Sequence, residues 1–273
     1  MRSKIVSLLA AAFSLGVVQA ASAADMPTKA PMAPDGIPYS WSGFYIGGNV
    51  GGAWGRSSTS SALGLPCTVC YVPSVVADIN AQSGQSVNSS GWTGGLQLGY
   101  NVQMNSLVYG VEADFDAMNL RGTTTTSVYF TGFPGPGAAP TYTNSIQTNW
   151  LFTARARLGF LVANNVLVYG TGGLAMTNLK YSHTFVEGTF AGSSGGTESS
   201  TASATKAGYA LGGGLEYAFM NHWSVKAEYL YLYFGNVTVT DQVVFGGVAN
   251  GNTFSNSANL HANIARLGVN YKF

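Results

Sequence analysis

Three sets of residues have the types and spacing to do chemistry. Glu112, Asp114 and Asp116 place carboxylates at every second position, and Arg155 and Arg157 do the same with guanidiniums. In an extended strand alternate side chains share a face, so each set forms a row of like charge. Facing rows could form ion pairs or line a polar path. The second set is Cys67-Thr68-Val69-Cys70. A C-x-x-C pair suits a redox motif, half of a zinc site or a local disulfide. The redox reading needs a βαβ context that the sequence lacks, and zinc needs two further ligands that no second pair supplies. The third set is the histidines. Ser182-His183 puts a hydroxyl beside an imidazole, while His222 falls in a short turn and His261 in a strand near a loop end. A nucleophile needs its base in contact and an orienting carboxylate, and nothing places one there. The expectation is therefore no catalytic residue, no metal and no cofactor.

The elements that must position these residues are strands. Eight segments alternate with period two, near 43–55, 92–103, 107–118, 147–161, 166–180, 205–219, 223–234 and 260–273. Leu107, Tyr109, Val111 and Phe115 oppose Glu112, Asp114 and Asp116. Trp150, Phe152, Leu158 and Phe160 oppose Thr153, Arg155 and Arg157, and Trp223, Val225, Tyr229 and Tyr231 oppose Ser224, Lys226 and Glu228. Each such segment has one apolar and one polar face. The fifth segment is apolar or glycine in both phases, and its faces stay unassigned. Gaps of three or four residues alternate with gaps of about 36, 28, 24 and 25 residues. Short gaps make tight antiparallel hairpins. An even strand count with short turns at one end and long loops at the other is the layout of an outer-membrane barrel.

Composition agrees. Only 8% of the 273 residues are charged, whereas 46% are hydrophobic and 36 are glycine. A water-facing surface needs roughly 25–35% charge, and a nucleic-acid partner needs a dense basic face. Twelve cations spread over this chain supply neither. Met1, Arg2 and Lys4 precede an apolar run from Ile5 to Val18 and the small-x-small site Ala21-Ser22-Ala23. This pattern predicts a signal peptide over 1–23. Pro27, Pro31, Pro34 and Pro38 then predict a periplasmic tether over 24–41, which leaves 42–273 for the barrel. The export route implies an oxidising envelope, which favours the disulfide for Cys67 and Cys70.

A soluble eight-stranded barrel would place the apolar phase inside; a membrane barrel places it outside. Residues 56–91 hold only Arg56 and Asp78, too few charges for loops of a soluble barrel. Aromatics gather toward the ends of the apolar phase, as in Phe44 and Trp54, Trp92 and Tyr100, and Trp223 and Tyr233. Such pairs suit the two membrane interfaces. Five acids (Glu112, Asp114, Asp116, Glu216, Glu228) and five bases (Arg155, Arg157, Lys206, Lys226, Arg266) share the polar phase, where their signs cancel. An enclosed interior demands that pairing. The fold expected is all-β: an eight-stranded antiparallel transmembrane β-barrel wound as an up-and-down meander. Eight strands enclose a space that side chains fill, so the expected interior is a salt-bridged plug. The alternative is a narrow channel for small solutes.

The chain also resembles a family. Trp41-Ser42-Gly43-Phe44-Tyr45-Ile46-Gly47-Gly48-Asn49, Gly110-Val111-Glu112, Arg155-Ala156-Arg157-Leu158-Gly159, Gly212-Gly213-Gly214-Leu215-Glu216-Tyr217 and the terminal Asn270-Tyr271-Lys272-Phe273 are similar to the alphaproteobacterial outer-membrane immunogenic proteins. These belong to the OmpA-like eight-stranded barrels. The resemblance implies that Val269, Tyr271 and Phe273 form the signal read by the barrel-assembly machinery. It implies outer-membrane lipids as partners and surface loops that meet a host or extracellular ligand, with no nucleic acid. Some members of the family bind haem, but no motif here matches a haem site.

Overall fold

The computed structural model describes residues 39–64, 73–82, 84–127, 140–186, 197–245 and 248–273. The segment read as a signal peptide, most of the tether, Cys67 and Cys70 lie outside the described residues. Eight antiparallel strands, β1 (Gly43–Gly64), β2 (Gln85–Met104), β3 (Leu107–Ser127), β4 (Thr141–Ala163), β5 (Val166–Val186), β6 (Thr197–Met220), β7 (Trp223–Phe245) and β8 (Val248–Lys272), pair in chain order. The ring is closed by β1 against β8, with Val50 opposite Leu267 and Ile46 opposite Tyr271. A closed ring leaves no strand edge, the condition for a sheet to stand in hydrocarbon. Three turns are two residues long: Asn105-Ser106, Asn164-Asn165 and Asn221-His222. Asn105 takes a positive φ of 55°, a conformation that Asn tolerates better than most residues. By this architecture the short turns lie at the periplasmic end.

Charged residues face in and apolar residues face out along the lower half of each strand. Phe44, Leu96, Val111, Phe115, Leu158, Leu174 and Leu267 are exposed, while Glu112, Asp114, Arg155, Lys226, Glu228 and Arg266 are buried. The fifth segment, unassigned from sequence, sends Leu167 and Tyr169 inward and Val168 and Leu174 outward.

The strands are far longer than the alternation predicts. They run 20 to 25 residues, against about 9–11 for a bilayer crossing. Much of what reads as long loops is strand. The β7–β8 interval, expected at about 25 residues, shrinks to residues 246–247. The 65–84 interval contains α1 (Pro73–Gln82), whose first residue is a proline, well suited to an opening helical position. Composition hid the extensions because their outward positions are Ser, Thr and Asn, which also dominate loops. Threonine, however, is a good strand former.

The interior is layered. At the periplasmic end Trp41 is 1% exposed and packs with Val108, Leu167, Tyr169 and Ala218, with Tyr39 and Leu161 against them. The last residues of the expected tether thus cap the barrel. Burial, then the field of Glu216, pushes the Tyr39 phenol up to about 12. The charged side chains occupy the middle. Above them lies a second apolar cluster that includes Leu120, Ile146, Leu151, Leu179, Leu230, Leu232, Phe234, Leu260 and Ile264. Two local irregularities build it. On β4 the register slips between Gln147 and Leu151, so inward positions change from even to odd numbers. On β7 the slip lies between Tyr233 and Asn236, where Gly235 adopts a φ of +69° and Val237 turns inward. These are β-bulges, each re-aiming the strand beyond it.

The orientation can be checked with single-tryptophan variants in brominated-lipid vesicles. Trp92 (52% exposed) and Trp223 (41%) should be quenched, and Trp41 should be insensitive. Quenching of Trp41 equal to that of Trp92 would contradict this layering.

Candidate functional site: the buried ion layer

Each charged side chain in the layer is placed by strand parity. Glu112, Asp114 and Asp116 climb one face of β3, and Arg155 sits opposite Glu112 on β4. Glu216 faces Lys226 across β6 and β7, and Glu228 faces Arg266 across β7 and β8. Arg266 is the most connected cation. Its Nη1 lies 2.9 Å from both Asp114 Oδ1 and Asp116 Oδ2, and its Nη2 lies 2.6 Å from Glu228 Oε2. Arg155 reaches Glu112 at 2.7 Å, Asp114 at 2.8 Å and Glu228 at 3.2 Å. Arg157 lies 2.6 Å from Glu216 Oε2, and Lys226 Nζ 2.8 Å from Glu112 Oε1. Arg266 needs room at β1, and Gly51 provides it. A Cβ there would sit 2.6 Å from the Arg266 Cβ, a clash that only glycine avoids.

Neutral groups complete the lattice. The Tyr45 hydroxyl donates to Glu112 Oε2 at 2.7 Å and accepts from Arg157 Nη1 at 2.9 Å. The Tyr169 hydroxyl donates to Glu228 Oε1 at 2.9 Å, and its ring lies 4.0 Å from the Arg157 guanidinium carbon. Thr153 donates to Asp114, Ser224 to Glu216, and Asn49 to Asp116, at 2.6, 2.6 and 2.9 Å. Asn270 donates to Glu216 at 2.8 Å and accepts from Gln97 at 2.6 Å. Sequence reasoning missed Tyr45, Asn49, Tyr169 and Asn270. Their parity was available: each shares the inward phase of its strand, but a tyrosine in an apolar run reads as lipid-facing.

Nine of the ten expected charges meet in this layer; Lys206 does not. Its Nζ lies 3.4 Å from the backbone oxygen of Asn236, and no described carboxylate lies within ion-pair distance. Lys206 shares the parity of Glu216, but ten positions along the same strand separate them, roughly 33 Å of extended chain. Parity fixes the face and leaves the depth open. The layer therefore holds five carboxylates against four cations.

The other candidates fall elsewhere. His183 is fully buried, and its Nδ1 lies 2.8 Å from Asn144 Oδ1. Ser182 points to the outer wall and meets Thr201 at 3.0 Å. Neighbours in one strand face opposite ways, so this hydroxyl and imidazole cannot act together. His222 Nδ1 lies 2.9 Å from the Lys272 carbonyl oxygen at the periplasmic rim, and His261 stacks near Tyr231 on the outer face. No group of three metal-ligating side chains occurs among the described residues. Val269 and Phe273 are exposed on the outside of the terminal strand, with Tyr271 partly so.

The chain is similar to known outer-membrane proteins. The family model for the outer membrane protein beta-barrel domain matches residues 8–273. The 31 kDa outer-membrane immunogenic protein of Brucella melitensis is 34% identical over 279 residues, covering 100% of both chains. The 22 kDa outer membrane protein of Rhizobium leguminosarum bv. viciae is 26% identical over 240 residues, 85% of each. Among solved structures, the outer membrane protein OprG from Pseudomonas aeruginosa aligns with a TM-score of 0.42 and 14% identity, covering 87% of this chain and 100% of that one.

Removing one partner of a buried ion cluster strands the others, at about 3–5 kcal/mol. Arg266→Met should therefore lower stability by about that amount in urea unfolding of the lipid-inserted barrel. Lys206→Met should stay within about 1 kcal/mol of the parent, as an unpaired, partly exposed cation. Equal losses would place Lys206 back in the network.

Proposed function

The chain belongs to the outer-membrane β-barrel domain family, and on that premise we propose that it is a closed, non-catalytic barrel that contributes to envelope structure and presents its extracellular end for recognition. The protein is an outer-membrane β-barrel, and its Brucella relative is named an outer-membrane immunogenic protein. The finer reading rests on one observation: the ion layer lies between two apolar layers, the Trp41 cap below and the Leu120–Ile146–Leu232 cluster above. An ion crossing the barrel would have to enter both dry layers and then displace paired charges. The desolvation cost of such a step is several kcal/mol for each ion. A plug of this kind supports a role as a membrane-spanning post.

On this reading residues 1–23 are a cleaved export signal and 24–41 a Pro-rich periplasmic tether, whose described residues Tyr39 and Trp41 pack into the barrel end. Val269, Tyr271 and Phe273 are the residues that the barrel-assembly machinery reads. Outer-membrane lipids around the barrel, and a host or extracellular ligand at its loops, are the partners.

Planar-bilayer recording tests the plug. The protein should give no steady single-channel steps, and Glu112→Ala should not open any that persist. Stable conductance that changes in size or ion selectivity with Glu112→Ala or Arg155→Ala would instead make it a narrow channel.

A further inference from the structure

Above the membrane band the outer wall has an unusual charge distribution. Among the described side chains, every carboxylate carried by a strand lies in the interior ion layer. Among the described side chains, the outward-facing charged residues of the strands are Arg56, Arg121 and Lys180, all exposed and all cationic. Arg56 lies one outward position beyond Trp54 on β1. Lys180 lies two beyond Met176 on β5, and Arg121 three beyond Phe115 on β3. These heights fall just past the exposed apolar belt, where lipid headgroups begin. Arg121 and Lys180 occupy one register row, each opposite Gln147. Two strand spacings separate them, about 10 Å. Neither has an ion-pair or hydrogen-bond partner among the described residues.

Beyond these cations the wall of β3–β6 is clad in hydroxyls. Thr125, Thr143, Thr184 and Ser199 form one continuous row across the four strands. Thr125 meets Thr143 at 3.0 Å and Thr184 meets Ser199 at 3.5 Å. Hydroxyls offer both donors and acceptors, which suits polyhydroxylated ligands.

We propose that this wall docks a phosphorylated saccharolipid of the outer leaflet, with Arg121 and Lys180 on its phosphates, Arg56 extending the cationic band, and the Thr/Ser rows against its sugars. Charge complementarity selects the occupant. Two exposed cations at headgroup height, Arg121 and Lys180, with no counter-ion among the described residues, call for an anionic lipid, and a hydroxyl wall directly above them calls for one whose headgroup continues outward as sugar. An anionic glycerophospholipid satisfies the first condition and leaves the wall facing water.

The full-length barrel, folded in mild detergent, is titrated with lipopolysaccharide, with its sugar-trimmed lipid A, and with phosphatidylglycerol, and the lipid retained per barrel is read by native mass spectrometry. Lipopolysaccharide should bind more tightly than phosphatidylglycerol, with an affinity that falls as salt rises from about 0.05 to 0.5 M. The triple variant Arg56→Ser, Arg121→Ser, Lys180→Ser should bind lipopolysaccharide and lipid A roughly tenfold or more weakly. The variant Thr125→Val, Thr143→Val, Thr184→Val keeps β-branched residues on the strands. It should weaken lipopolysaccharide and leave lipid A unchanged. Equal retention of phosphatidylglycerol, or undiminished binding by the cation variant, would overturn the proposal. Should a variant not fold, the salt series on the unaltered protein decides the matter, since salt-independent binding is incompatible with phosphates held by this cation band.

Discussion

A carboxylate enclosed by eight strands has no water to hydrate it, and the rest of this structure follows from how that problem is met. Desolvating an unpaired charge costs several kcal/mol. Five carboxylates therefore gather around four cations, with Arg266 in reach of four acids and Arg155 of three. The formal shortfall of one positive charge is met by neutral donors. Tyr45, Tyr169, Thr153, Ser224 and Asn49 each give a hydrogen bond to a carboxylate. Such bonds to charged groups are stronger than neutral ones. A network of this kind has little tolerance for a missing member, because each acid depends on groups from several strands. Glu112 alone is held from β1, β4 and β7. The ion layer thus ties non-adjacent strands across the barrel, a connection that the backbone ladder, limited to neighbours, cannot make.

Those ties require backbone positions that leave space. Arg266 crosses the interior because Gly51 opposes it with no side chain. Above the layer, the slips on β4 and β7 turn Leu151 and Val237 toward the axis so that apolar side chains close over the charges. A dry cover strengthens the electrostatics beneath it, since attraction between charges rises as the surrounding dielectric falls. The Trp41 cap does the same from below, fixed by its backbone N–H on Gln103 Oε1 at 2.9 Å and its indole N–H on the Asn164 carbonyl at 3.3 Å.

Much of this was legible in the residues. Period two at eight places, with short and long gaps in alternation, carried the barrel and its meander order. The phase of Glu112, Asp114 and Asp116 against Leu107, Tyr109 and Val111 carried the inward side. Depth was not legible, which is why Lys206 joined a group it never meets. Parity repeats every two residues and is blind to how far along the strand a side chain lies. The inward tyrosines were hidden because a ring with a hydroxyl suits a lipid interface and a buried carboxylate equally well. The upper halves of the strands were hidden for a similar reason: Ser, Thr and Asn at outward positions carry the composition of loops. The clue lay in their partners, since Tyr142, Ile146, Leu179, Tyr181 and Phe185 recur at every second or fourth position behind them.

Choosing between a membrane barrel and a soluble one looks like a choice made once for a whole chain, yet here both arrangements occupy the same strands. On lower β4, Phe152 and Leu158 face out while Arg155 and Arg157 face in; on upper β4, Ile146 faces in while Thr143 and Ser145 face out. β5 repeats the exchange, with Leu174 outside below and Leu179 inside above. The solvent dictates the inversion. In hydrocarbon the outer wall gains nothing from polar groups, so charges can be kept only inside. Past the headgroups the outer wall is wet, and the interior reverts to the apolar packing of a water-soluble barrel. The plane where the phases exchange marks the membrane surface on the protein itself. It passes just above Trp54 and Trp92, the height at which Arg56, Arg121 and Lys180 emerge. The chain thus records the position of its bilayer as the point where the hydrophobic phase changes sides.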